Sequence, residues 1–195
     1  MSFVSGTVTE TIYASTAVGA TLATFTTEAQ LNTTATMGVI PHLPPDFWLP
    51  NQSQLGRGIR VVARGILSST ATPTYTFTLR GGASGNITTT PLLLGTAALT
   101  TTTTVTNAYW EIEADIILTA MGAAGANSTV RGIGSVRSNG LASAINPIYG
   151  GGASPGTVAT VDTSITQYLN LNVACSASSA SNTITLHQLI VQGLN

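Results

Sequence analysis

The stretch Thr74-Tyr75-Thr76-Phe77-Thr78-Leu79-Arg80 alternates a β-branched hydroxyl residue with a large apolar one. Side chains of a strand point by turns to its two faces, so this period sets Tyr75, Phe77 and Leu79 on one side and the threonines on the other. Branching at Cβ stiffens threonine and suits it to a pleated surface. The same period recurs in Trp110-Glu111-Ile112-Glu113-Ala114-Asp115-Ile116, where the apolar side chains share one face and all three carboxylates the other. In Leu169-Asn170-Leu171-Asn172-Val173-Ala174-Cys175 it groups Leu169, Leu171, Val173 and Cys175. No segment carries a helical period, and residues 28–32 are read as one helical turn at most.

Gly, Pro, Asn and Ser cut the chain into short alternating segments, the pattern of an all-β sandwich or barrel. Eight strands are predicted, at 7–13, 21–27, 58–68, 74–80, 109–119, 128–136, 164–175 and 183–192. Residues 69–73 read as a hairpin link and 81–86 as a reversal. Asn139-Gly140 and the glycine-rich run 150–156 punctuate a connection from 137 to 163, long enough to suggest function or packing on a partner. One domain over residues 1–195 is expected, with strands in 1–39 and a proline-rich strap over 40–50.

The strap, Ile40-Pro41-His42-Leu43-Pro44-Pro45-Asp46-Phe47-Trp48-Leu49-Pro50, is stiff, because proline fixes its own φ and extends the residue before it. Two readings stand. The strap closes the open end of its own sandwich, or it is an arm whose Phe47 and Trp48 anchor in a neighbouring subunit.

Charge narrows the function further. The chain has 34 threonines and no lysine, and 7% of its residues are charged, against about a quarter in a typical soluble domain. Such a surface is built to lie against other protein. The net charge is −1, and the arginines at 57, 60, 64, 80, 131 and 137 are scattered, which excludes a nucleic-acid footprint. The first residues carry no basic or long apolar run of a secretory signal, and no apolar stretch of about 18 residues suggests a membrane span. The lone Cys175 excludes an internal disulfide.

Candidates for chemistry are few. His42 and His187 lack metal-ligand spacing, and Cys175 falls on an apolar strand face. Gly81-Gly82-Ala83-Ser84-Gly85 lacks the lysine of a phosphate cradle. Neither an enzyme nor a bound cofactor or metal is expected. Glu111, Glu113 and Asp115 share a strand face, but carboxylates along a flat strand diverge. Pairing with Arg60 and Arg64, which share a face of their own strand, or with Arg131, is the better reading. Tyr109, Tyr149 and Tyr168 are the rings left for a sugar.

Pro44-Pro45-Asp46-Phe47-Trp48-Leu49-Pro50, Gly58-Ile59-Arg60-Val61-Val62-Ala63-Arg64-Gly65, 72–80 and Tyr109-Trp110-Glu111-Ile112-Glu113-Ala114 together resemble jelly-roll virion proteins of tailed bacteriophages, among them capsid decoration (cement) proteins. The resemblance runs from about residue 40 onward. It implies an eight-stranded antiparallel jelly-roll β-sandwich that forms a homotrimer on the virion, made in the bacterial cytoplasm. Its partners would be further copies of itself and the major capsid protein or another virion protein. It transfers no individual functional residue. Related folds also serve in tails, baseplates and fibres, so a module binding a host receptor or glycan, read through 137–163 and Tyr149, is the alternative. Phe47, Trp48, Arg60, Arg64, Glu111, Glu113, Asp115 and Tyr149 are the candidate interface residues.

Overall fold

The structure is a computed structural model that describes residues 9–15, 17–49, 57–85, 91–122, 128–150 and 158–194. Within these lie the strands β1 (Glu10–Ser15), β2 (Ala29–Gln30), β3 (His42–Leu43), β4 (Gly58–Ser69), β5 (Thr74–Gly82), β6 (Leu92–Gly95) and β7 (Leu99–Thr100). They continue with β8 (Val105–Ala120), β9 (Ser128–Ser138), β10 (Ile145–Tyr149), β11 (Ala159–Val161), β12 (Gln167–Cys175) and β13 (Thr183–Leu194), and one helical turn, α1 (Thr34–Met37), follows β2. The chain is all-β. No helix among the described residues is long and apolar enough to cross a membrane.

The strands join in one antiparallel network, ordered β1-β13-β4-β8-β9-β10-β6-β5-β12-β2, with β11 on β9, β3 on β12 and β7 on β5. The network doubles over itself. The Phe77 ring of β5 lies 5.3 Å from the Trp110 ring of β8, although those strands are far apart in the pairing order. Gly132 of β9 passes so close to Leu94 of β6 that a Cβ there would stand 2.3 Å from it. One layer is therefore β1-β13-β4-β8-β9 and the other β6-β5-β12-β2, joined where Tyr149 of β10 pairs with Gly95. The inward sets that alternation assigned, Tyr75, Phe77 and Leu79 on β5, Trp110, Ile112 and Ala114 on β8, and Leu169, Leu171, Val173 and Cys175 on β12, are buried between the layers.

Several expectations are corrected. Residues 21–27 form no strand. Leu22 makes an isolated bridge to Ile184, and Thr24 takes φ 55°, which breaks the extended run. The helical turn expected at 28–32 is instead β2, and the helix begins at Thr34. The 69–73 link is not a hairpin: β4 pairs with β13 and β8, β5 with β6, β7 and β12, so the chain crosses between layers there. Ala71, at φ 61°, lies in this crossing. The connection 137–163 is not structureless, since β10 and β11 both pair with β9 inside it. The first predicted strand starts at Glu10 and the seventh at Gln167. Pro50, Asn86, residues 7 and 8, and the glycine-rich run beyond Gly150 lie outside the described residues.

Candidate interaction face

Trp110 points inward on β8, and period two then obliges Tyr109, Glu111, Glu113 and Asp115 to point outward. Register brings their partners. Across β4 the opposed pairs are Arg60 with Asp115, Val62 with Glu113 and Arg64 with Glu111. Across β9 they are Glu111 with Arg137, Glu113 with Ser135, Asp115 with Ile133 and Ile117 with Arg131. Beyond β9, β10 sets Ile145 against Arg137 and Tyr149 against Ile133. A column of carboxylates thus runs between two columns that carry arginines.

Arg60 forks onto Asp115, with Nε 2.7 Å from Oδ1 and Nη2 2.8 Å from Oδ2, and its Nη1 lies 3.8 Å from Glu113. Arg64 donates to Glu111 at 3.0 Å and to Gln188 of β13 at 2.7 Å. The Tyr109 hydroxyl donates to the same Glu111 oxygen. That bond holds the Glu111 carboxyl below its ordinary range; burial opposes the shift, and Arg64 reinforces it. The hydrogen bond from Arg60 to Asp115 and the Asp115 charge raise the Arg60 guanidinium above its ordinary value. Pairs this exposed add little stability, ~1 kcal/mol or less each. Their larger consequence is neutralisation, since paired charges are less costly to cover than lone ones.

Beside the ion pairs the face is apolar. Ile133 is 65% exposed, Ile145 64%, Tyr109 44% and Ile117 43%. A shallow hollow of about 290 Å³ lies among Glu113, Asp115, Ile133, Ser135 and Arg137. Five of the sequence candidates, Arg60, Arg64, Glu111, Glu113 and Asp115, therefore meet on one surface, and the arginine pairing expected for the carboxylates is present. Arg131 takes no part in it; it stands opposite Ile117. Tyr149 is half-buried at the margin.

Phe47 and Trp48 are corrected from interface anchors to core residues. They are 4% and 1% exposed and pack edge to face with ring centroids 5.5 Å apart. The Trp48 indole donates to Gln167 Oε1 at 3.2 Å, and Arg57 lies over the Phe47 ring at 4.2 Å. The strap closes its own sandwich, because the two rings bury more apolar surface there than any exposed pose allows.

Sequence reasoning missed a second polar assembly, on the outer side of the other layer. Glu28 accepts from Arg80 Nε at 2.8 Å and Nη2 at 2.9 Å, from Asn172 at 3.2 Å, and from the Thr78 hydroxyl. Burial pushes the Glu28 carboxyl up, but these hydrogen bonds and the Arg80 charge outweigh it and leave it below its ordinary value. Gln30 reaches Asn170 at 2.8 Å, and Asn32 joins the backbone of Leu169 and Leu171. No local pattern joins Glu28 to Arg80. Ile133 was legible, in contrast, since Arg131-Gly132-Ile133-Gly134-Ser135-Val136-Arg137 alternates and sets Ile133 with the two arginines.

His42 stacks beside Tyr168 at 5.7 Å, His187 is exposed, and Cys175 is buried. Among the described residues no group of three or more His, Cys, Asp or Glu is placed to hold a metal ion. Compared with family models, curated proteins and solved structures, the chain matches none.

Proposed function

We propose that this chain is a structural virion protein of a tailed bacteriophage, a capsid decoration (cement) protein that binds the outer shell as a homotrimer and stabilises it. The observation that carries the reading is the outward face of β4, β8, β9 and β10, where arginines and carboxylates neutralise one another beside bare isoleucines. Exposed apolar side chains set among charges that are largely paired suit a face that lies against other protein. Binding, not turnover, is the role such a face serves. The virion itself comes from the resemblance of 44–50, 58–65, 72–80 and 109–114 to phage jelly rolls.

Strand pairing supports the jelly-roll form of the reading. β8 pairs with β9, β6 with β10, β5 with β12 and β4 with β13, so eight strands nest like one long hairpin rolled up. The mechanism is mechanical. A trimer seated where several major capsid subunits meet buries surface on all of them, so removing one subunit breaks several contacts together. Thr, Ser and Ala lose little rotamer entropy on burial, and the absence of lysine removes a strongly hydrated, flexible side chain. The alternative, a tail, baseplate or fibre module that binds a host receptor or glycan through 137–163, has less support, since Tyr149 is half-buried.

Heating tests the reading. Particles lacking the chain are expected to release their genome at a lower temperature than complete ones, and re-addition of the purified protein restores the higher value. Equal release temperatures would overturn it.

A further inference from the structure

Two surfaces of this one chain complement each other. On β9, Arg131 and Arg137 are exposed on either side of Ile133, with Ile145 next to Arg137. Neither arginine makes an ion pair among the described residues; Arg137 acts on Glu111 through its charge alone. The side chains of Arg131 and Arg137 are six residues apart along the strand, so they stand roughly 20 Å from each other with the isoleucine between.

The second surface is a crevice of about 340 Å³ between β1 and the strap. Ile12, Pro44, Pro45 and Phe47 give it apolar walls, and the exposed carboxylates Glu10 and Asp46 line it as well. Neither acid makes an ion pair among the described residues. Arg57 lies over the Phe47 ring, and its one positive charge beside the two acids leaves the lining at net −1. The strap is held in place beneath, since the Asp46 amide donates to the Thr163 carbonyl at 2.8 Å and Phe47 is core.

We infer that the Arg131–Ile133–Arg137 stripe of one copy docks in the Glu10/Asp46 crevice of the next, the isoleucine entering the apolar part and the arginines meeting the acids. This rests on the trimeric reading proposed above and deepens it. The contact joins two different patches, so it is head-to-tail, and a head-to-tail contact whose rotation closes yields a ring such as a trimer. Like charges set opposite one another disfavour an interface strongly, so reversal on either side breaks it.

The test is sedimentation equilibrium of the full chain. Arg131→Glu/Arg137→Glu and Glu10→Arg/Asp46→Arg are each expected to raise the dissociation constant by about a hundredfold or more, with circular dichroism unchanged. All four substitutions in one chain restore the ring, because both charges are then exchanged. A wild-type trimer indifferent to either pair, or a four-fold variant that stays monomeric, overturns the contact and leaves the trimer reading standing. A wild-type chain that is monomeric throughout overturns the contact and the trimer, while heat release from particles still judges the cement reading. Should a variant fail to fold, the wild type decides: its trimer is expected to loosen as salt rises, and a salt-indifferent trimer refutes the contact.

Discussion

Trp48 and Glu28 show how much a single side chain decides here. Trp48 is 1% exposed, stacks edge-on with Phe47 and satisfies its indole N–H on Gln167. Removing it leaves a cavity and an orphaned amide, so Trp48→Ala is expected to cost about 3–5 kcal/mol of unfolding free energy in a urea melt. An unchanged melt would mean that the ring is not core. Glu28 has its carboxyl held below the ordinary value in the folded chain. Its unfolded form therefore takes up a proton first as pH falls. The stability it adds is complete above the ordinary glutamate range, about 4.3, and is lost as pH drops through the lower folded value. Glu28→Gln is expected to flatten that acid limb as pH falls below the ordinary glutamate range. Glu111, held down by Tyr109 and Arg64, contributes in the same sense. A limb of unchanged slope in the Glu28 variant would show that the network with Arg80 adds no pH-dependent stability.

At the scale of elements, the strands that bury one whole face were readable. β4, β5 and β8 alternate buried and more exposed positions along most of their length, and β12 buries Leu169, Leu171, Val173 and Cys175 on the face that the period assigned. β2, β3 and β7 have two residues each, too few for any period to register, and they form because a longer strand offers an edge to pair with. The link at 69–73 has the composition of a hairpin, and its crossing between layers depends on partners far along the chain, such as β13 for β4 and β12 for β5. Of the candidate face, the Arg60–Asp115 and Arg64–Glu111 pairs followed from alternation on two strands. The Glu28–Arg80 assembly did not, because Glu28 stands just before β2, a strand of two residues that shows no period to place its side chain. Close approach also leaves its mark. A Cβ on Gly65 would stand 1.9 Å from the Thr185 carbonyl of β13 and 2.8 Å from the Trp110 ring. Backbone cannot yield there without separating β4 from β13, so Gly65→Ala is expected to cost about 3 kcal/mol or more, read by thermal melting. A variant as stable as the parent would mean that this pairing is looser than the register implies.

For the whole molecule, the pattern is a β-sandwich with an apolar interior and its few charges on the outer faces. Its charges are few and, on the β4–β8 face, mutually paired; its isoleucines stand exposed beside them. The absence of lysine removes the residue that most often blocks edge-to-edge pairing, and β1 and β2 are the ends of the strand order. A chain of this kind suits a station where every surface has an intended neighbour. The measurement that tests this most directly is the number of copies per purified virion, by quantitative mass spectrometry against the major capsid protein. The cement account requires hundreds of copies, spread over the shell. A few dozen or fewer would place the chain at a tail, vertex or fibre and contradict it, and absence from the particle would end the virion reading altogether.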